Sequence, residues 1–212
     1  MFEGRLREWP LNAKTGENLV SYSVRDLGAE ILLIENLLEP SLCAHIIDVA
    51  ESSHFAPASI LIETVDADVR NSGLLRLDPK NSLLKSTNEL LISKISIIQQ
   101  ALFKCYGVKF PYAETCSVLR YVPGQHYKRH VDNILLTSRF QEIEQGIPTR
   151  DVSVVGYLSD CEGGETLFDR QNIKVKPQMG SAIVFPACYT HPHQALPVTK
   201  GRKYAWTSWL YH

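Results

Sequence analysis

The triplet His130-Val131-Asp132 is the first arrangement in this chain that could do chemistry. Residues i and i+2 of an extended segment point the same way, so an imidazole nitrogen and a carboxylate oxygen can converge on one point. A borderline divalent cation such as Fe(II) accepts that mixed donor set. Two histidines and one carboxylate on one face leave the opposite positions open for substrate and O2. Taken alone, the triplet reads rather as a surface histidine beside a solvated aspartate. A third ligand has to come from elsewhere, and the stretch 189–203 (YTHPHQALPVTKGRK) offers His191 and His193, between which spacing alone does not choose. Lys203 follows, at the head of the alternating run Tyr204-Ala205-Trp206-Thr207-Ser208-Trp209-Leu210. A cation carried into a sandwich by such a strand is costly unless an anion meets it, and a carboxylate-bearing cosubstrate would supply one. A solvated lysine at a strand end is the plain alternative.

Elements must position these groups. The segments 114–122, 152–159, 166–169, 173–175, 181–185 and 203–211 are short, rich in β-branched and aromatic residues, and separated by Gly, Pro or Asp. This texture predicts an antiparallel sandwich or barrel. Upstream, 30–38 (EILLIENLL) predicts a buried strand. Pro40 opens a helix through Ser52 with Leu42, Ile46, Val49 and Ala50 on one side. Residues 82–106 predict the longest helix, with Leu83, Leu84, Leu90, Leu91, Ile95, Ile98, Leu102 and Phe103 as its apolar stripe and Gly107 as its stop. Residues 1–28 read as a loosely packed arm with one strand, and 53–80 as loop with short strands. The expected fold is α+β, a C-terminal β-sandwich on a helical N-terminal half.

Composition sets the outer limits. The 212 residues are 44% hydrophobic and 21% charged, ordinary globular usage. Lys and Arg number 22 against 23 Asp and Glu, so no basic excess exists to neutralise a run of phosphates, and no nucleic-acid partner is expected. No stretch of about 18 apolar residues suggests a membrane span, and the N-terminus has no apolar core of a secretory signal. Cys43, Cys105, Cys116, Cys161 and Cys188 are odd in number and lack a CxxC pair, so reduced, mostly buried thiols and a cytoplasmic setting are expected.

Read jointly, these residues resemble a family. Tyr121-x2-Gly124-Gln125-x-Tyr127-x2-His130-x-Asp132 is similar to the first metal motif of the prolyl 4-hydroxylases, which are Fe(II)/2-oxoglutarate dioxygenases. Arg150, then Tyr157-Leu158-Ser159-Asp160 and Gly163-Gly164-Glu165-Thr166-x-Phe168, resemble their central block. His193-x3-Pro197-Val198-x2-Gly201-x-Lys203-x5-Trp209 resembles their final block. Val69-Arg70-x-Ser72 and the helix after Pro40 are similar to their N-terminal portion. The motifs fall in order over roughly 115–212, and a joint match is far more specific than any one piece.

The resemblance implies a double-stranded β-helix, or jelly roll, over 112–212, buttressed by helices within 1–111, as one structural domain overall. It implies His193 as the distal ligand, because that histidine precedes x3-Pro-Val and stands ten positions before Lys203, whereas His191 does neither. Fe(II) would be held by His130, Asp132 and His193. The distal carboxylate of 2-oxoglutarate would meet Lys203, with Tyr121, Thr166 and Tyr157 as hydroxyl partners. Tyr127, Arg150 and Trp209 match positions that enclose a prolyl substrate, an aromatic wall suiting a pyrrolidine ring and Arg a backbone carbonyl.

The implied reaction is hydroxylation of an unactivated C–H bond with conversion of 2-oxoglutarate and O2 to succinate and CO2, ascorbate being a candidate reductant. A peptidyl proline is the expected substrate, with a free amino acid or biosynthetic intermediate as the alternative and a non-catalytic cupin-like metal module as a third reading. The basic run His126, Lys128 and Arg129, the stretch 133–149 with Leu135, Leu136 and Phe140, and Gly156 where a bulkier residue is expected, depart from the pattern.

Overall fold

The alternation that opens at Lys203 becomes the longest strand of the molecule. In the computed structural model, which describes residues 6–7, 22–57, 70–133, 144, 146 and 148–212, the chain forms β1 (Leu6–Arg7), β2 (Ser23–Asp26), β3 (Leu32–Glu35), α1 (Pro40–Glu51), β4 (Ala56–Pro57), β5 (Gly73–Arg76), α2 (Ser82–Tyr106), β6 (Tyr112–Ala113) and β7 (Ser117–Tyr121). There follow β8 (Tyr127–His130), β9 (Val152–Tyr157), β10 (Glu162–Gly163), β11 (Thr166–Phe168), β12 (Ile173–Val175), β13 (Ala182–Pro186), β14 (His193–Ala195), β15 (Val198–Lys200) and β16 (Lys203–Tyr211).

Three layers result. The major sheet runs β1-β2-β3-β13-β9-β16-β7-β5-β4, with β6 added to the end of β16, and the minor sheet runs β12-β11-β14-β8. Along the C-terminal half the chain steps back and forth between them, β7 and β9 in one sheet and β8 and β11 in the other. Their facing sides share a core of Leu33, Leu119, Tyr121, Tyr157, Phe168, Val175, Ile183 and Phe185. The opposite side of the major sheet shares a second core with both helices, where Ile46, Leu91, Ile95 and Ile98 meet Val118, Val154, Val184 and Trp206. Strands from both sides of residue 111 are interleaved in the major sheet, since β3 pairs β13 and β5 pairs β7.

Helix α2 begins where the Asn81 side chain accepts from the Leu83 and Leu84 amides and ends at Gly107, whose φ of 72° no β-carbon opposes. Its buried stripe differs from the expected one. Leu84, Leu91, Ile95, Ile98 and Leu102 are inside, but Leu83, Leu90 and Phe103 are exposed, and Thr87 and Ala101 take the space between. Leu83 and Leu90 are seven apart and share a face rotated away from the packed one; the Thr87 hydroxyl can go inside because it donates to the Leu83 carbonyl at 2.9 Å.

The strand expected over 30–38 is shorter, because Ala29, Glu30 and Asn36 adopt left-handed φ values of 51°, 58° and 56° that bound it on both sides. No described helix is long and apolar enough to cross a membrane. All five cysteines are free, and Cys43, Cys116 and Cys161 are buried.

Candidate active site

Strands β8 and β14 carry the two candidate ligand histidines, and neither has the apolar alternation of a strand. Their sequences are YKRH and HQA. They pair antiparallel so that His193 stands opposite His130, and Asp132 follows in the turn after β8. The ligand atoms of the three residues all lie within 4.8 Å of one another. His130 Nε2 is 3.3 Å from Asp132 Oδ1, and His193 Nε2 is 3.7 Å from Asp132 Oδ2.

Each histidine is held by its other nitrogen: Nδ1 of His130 bonds the Lys128 carbonyl at 2.8 Å, and Nδ1 of His193 the His191 carbonyl at 3.2 Å. A carbonyl can only accept, so Nδ1 carries the proton and the Nε2 lone pair is left for a metal. Burial lowers the pKa of His193 to about 4, which keeps the imidazole neutral. Burial pushes the Asp132 carboxyl up, but His193 and His130 outweigh it and hold it well below the usual carboxylate range. Tyr127 stacks on the His130 ring at 3.6 Å, and Phe185 and Phe168 flank His193 at 4.7 and 5.6 Å.

Donors about 2 Å from a first-row divalent ion stand about 3 Å apart in a facial arrangement. The neutral, Nε2-presenting histidines and the ionised carboxylate fit such an ion. His191 is not one of the converging groups. Its Nε2 donates to the Ala29 carbonyl at 2.6 Å and its Nδ1 accepts from the Thr190 hydroxyl at 2.8 Å.

Lys203 opens β16 opposite Tyr121 of β7 and is 2% exposed. Its Nζ donates to the Gly164 carbonyl at 2.7 Å and lies 5.2 and 5.4 Å from the Tyr121 and Tyr157 ring centres. The Tyr157 and Thr166 hydroxyls bond each other at 2.8 Å. No carboxylate pairs with Lys203 among the described residues. Burial lowers its pKa to about 8. A buried cation with one carbonyl and two aromatic faces around it suits an anionic group of a ligand.

Tyr127, Arg150 and Trp209 line the same cavity, about 1080 Å3 in volume, as the His/Asp cluster and Lys203. Arg150 lies over Trp209, its guanidinium carbon 3.5 Å from the ring centre. Its Nε and Nη2 clasp the two carboxylate oxygens of Glu114 at 2.6 and 2.8 Å, and Nη1 reaches the Asp132 carbonyl at 3.4 Å. Glu114 has no sequence signal: it is one acid at the start of an apolar segment, and only the fold brings it to Arg150. Arg70, noted for its motif alone, sits 4.6 Å over the Tyr127 ring.

Of the basic run after Gly124, Lys128 is exposed and Arg129 pairs with Asp169 at 2.8 Å. Leu135, Leu136 and Phe140 of the 133–149 stretch lie outside the described residues. Gly156 has a physical reason: it stands opposite Trp206, and a β-carbon there would collide with the buried indole.

A jelly-roll oxygenase is the class of protein that these two sheets and this cluster suggest, and comparison with known proteins agrees. Residues 116–211 match the model of the 2OG-Fe(II) oxygenase superfamily. A protein of Acanthamoeba polyphaga mimivirus that carries a prolyl 4-hydroxylase name is 30% identical over 189 residues, covering 84% of this chain and 72% of that one. The chain spans 50–72% of the length of the first relatives it matches.

Among solved structures, the viral collagen prolyl hydroxylase from Paramecium bursaria chlorella virus-1, in complex with 2-oxoglutarate, has a TM-score of 0.64 at 25% identity, covering 86% of this chain and 96% of that one. A prolyl hydroxylase from Trichoplax adhaerens, solved with a peptide fragment of hypoxia inducible factor, has a TM-score of 0.68 at 20% identity over 86% and 83% of the two chains. The chain belongs to the prolyl 4-hydroxylase-like family of 2OG-Fe(II) oxygenases. It is a 2-oxoglutarate- and Fe(II)-dependent dioxygenase with a jelly-roll core.

Proposed function

We propose that this dioxygenase hydroxylates a prolyl residue within a peptide or protein. The Arg150–Glu114 clasp carries the reading. A free amino acid carries its carboxylate one bond from the ring and needs a cation beside the Tyr127–Arg150–Trp209 wall, but there the charge of Arg150 is already matched by Glu114. What the pair offers is a guanidinium–indole wall for an apolar ring, with donors left for a backbone carbonyl. A cavity near 1080 Å3 is also larger than a cosubstrate and one amino acid require. The similar Trichoplax prolyl hydroxylase was solved with a peptide bound.

In this proposal His130, Asp132 and His193 hold Fe(II), and the metal supplies the activation of O2 against 2-oxoglutarate that hydroxylation requires. Lys203 fixes the distal carboxylate of 2-oxoglutarate. Tyr121 packs beside it, and the Tyr157–Thr166 hydroxyl pair can turn to donate to the same oxygens. Tyr127, Arg150 and Trp209 enclose the ring and exclude water from the reacting carbon. Ascorbate serves as reductant and the cytoplasm as the setting. Helices α1 and α2, which share a core with the outer side of the major sheet, buttress it, making 1–111 a support for the 112–212 core.

Offering free amino acids and short proline peptides in parallel, with Fe(II) and 2-oxoglutarate, and measuring succinate and hydroxylated product tests the substrate. Coupled turnover of a proline peptide is expected. Arg150→Ala or Trp209→Ala should lower kcat/KM for it by about ten- to two-hundred-fold while largely sparing substrate-free decay of 2-oxoglutarate. Coupled turnover of a free amino acid alone would replace the peptidyl reading with the small-molecule one.

A further inference from the structure

The floor of the cavity is a grid set by strand register. Leu74, Leu119, Ala205 and Tyr157 form one row across β5, β7, β16 and β9, of which the first three line the cavity. The next row toward Trp209 is Arg76, Ser117, Thr207 and Val155. The first row is apolar apart from the Tyr157 hydroxyl. In the second, two hydroxyls and a guanidinium lead sideways from the middle of the cavity to its rim, and all three residues line it. Among the described residues, the side chains of Arg76, Ser117 and Thr207 make no hydrogen bond and no ion pair.

The other arginines of the cavity are engaged: Arg150 by Glu114, Arg129 by Asp169, and Arg70 by the Tyr127 ring and the Ser72 hydroxyl at 3.3 Å. Asp78 is the acid nearest to Arg76 in sequence, and its Oδ1 accepts the Lys80 amide at 2.9 Å. Arg76 is therefore an exposed cavity cation with no carboxylate partner among the described residues.

Building on the peptidyl-proline reading, we propose that the Thr207–Ser117–Arg76 row is a substrate subsite and that Arg76 selects peptides carrying an acidic residue near the reacting proline. Hydroxyls both donate and accept, so Thr207 and Ser117 suit the alternating groups of an extended main chain. The guanidinium ends the row with a fork matched to a carboxylate. Arg76 is two strand spacings, about 10 Å, across the sheet from Thr207, which stands two residues along β16 from Trp209, so Arg76 and the proline wall are about 12 Å apart; an extended chain advances about 3.3 Å per residue, and the acid belongs about three or four residues from the proline.

The test uses the full chain with Fe(II), 2-oxoglutarate and end-blocked proline peptides, in which only a side chain can carry a carboxylate. Glutamate, glutamine or lysine is placed about three or four residues before or after the proline, as the spacing requires. On one side of the proline the wild type should favour glutamate over lysine by about tenfold or more in kcat/KM, chiefly through KM and more strongly at low salt. Arg76→Glu should invert that order and Arg76→Gln should flatten it. Equal kcat/KM for the three peptides in the wild type, or an order unmoved by Arg76→Glu, would overturn the proposal while coupled turnover of the glutamine peptides left the peptidyl reading standing. Absence of turnover on every proline peptide would instead remove the peptidyl reading, and this proposal with it.

Discussion

At the scale of single residues, Lys203 shows most clearly how burial and function trade against each other. Its folded pKa of about 8 lies below the ordinary lysine value of 10.5 because the sandwich strips its water. Between those values the unfolded chain binds the proton and the folded chain does not. The cosubstrate-free protein should therefore gain stability as pH climbs from about 8 toward 10.5. Anion binding has the opposite preference, since it needs the ammonium form. Calorimetry with Mn(II) in the site should show 2-oxoglutarate affinity falling above about pH 8. Lys203→Ala should weaken binding by about 1.5–3 kcal/mol and remove that pH dependence. Lys200 and Arg202 cannot substitute, being exposed at the surface, Lys200 against Glu162.

His191 gives the contrasting case. Its imidazole ties the Ala29 carbonyl to the loop that carries His193. His191→Ala should leave metal titration unchanged and cost about 1–3 kcal/mol of stability, read from a urea midpoint. His193→Ala should lose the metal. The reverse pattern would overturn the ligand assignment.

At the scale of elements, β9 and β16 are bound by a steric bargain. Gly156 and Trp206 are register partners, and the buried indole fills the volume that a side chain at 156 would take. Among the described residues the indole Nε1–H has no hydrogen-bond partner in return. Gly156→Ala should destabilise by about 1–3 kcal/mol through overpacking. Trp206→Phe, which retracts the clashing edge, should recover part of that cost in a double-mutant cycle. Additive losses would show that the two residues do not compete for one space. Strands β8 and β14 follow different rules: each gives a cavity-facing position to a histidine of the candidate metal cluster, so the element survives on pairing with neighbours and on ring contacts such as Tyr127 against His130.

For the whole molecule, the site lies between the sheets. Lys203, Tyr121 and Tyr157 belong to the major sheet, and His130, His193 and Thr166 to the minor one. A metal and 2-oxoglutarate bound together join the two layers, so the folded state should be stabilised by mass action, about 2.7 kcal/mol at a hundredfold excess over Kd. In thermal melts, Mn(II) and 2-oxoglutarate should each add an increment to Tm. Lys203→Ala should lose the second increment and keep the first, and His193→Ala should lose both. A shared loss in Lys203→Ala would mean that the two halves of the site are not separable.

The chain sequence by itself determined what is set locally or by ordered spacing: the His130-x-Asp132 pair, the alternation that opens at Lys203, the stop of the long helix at Gly107, and the β texture after residue 111. These depend on residues a few positions apart, whose relative directions follow from strand and helix periods. It also carried the ordered motifs that single out His193 through a family resemblance.

Only tertiary structure decided the rest. His193 meets His130 through the register of two strands more than sixty residues apart, and His191 turns instead to a carbonyl from the N-terminal half. Glu114 reaches Arg150 by sheet pairing, Leu83 and Leu90 face solvent because the packed arc of α2 is set by the sheet beneath it, and Gly156 answers to a tryptophan fifty residues on. Those are decisions of register and packing, which join residues far apart in sequence and leave no periodic trace in it.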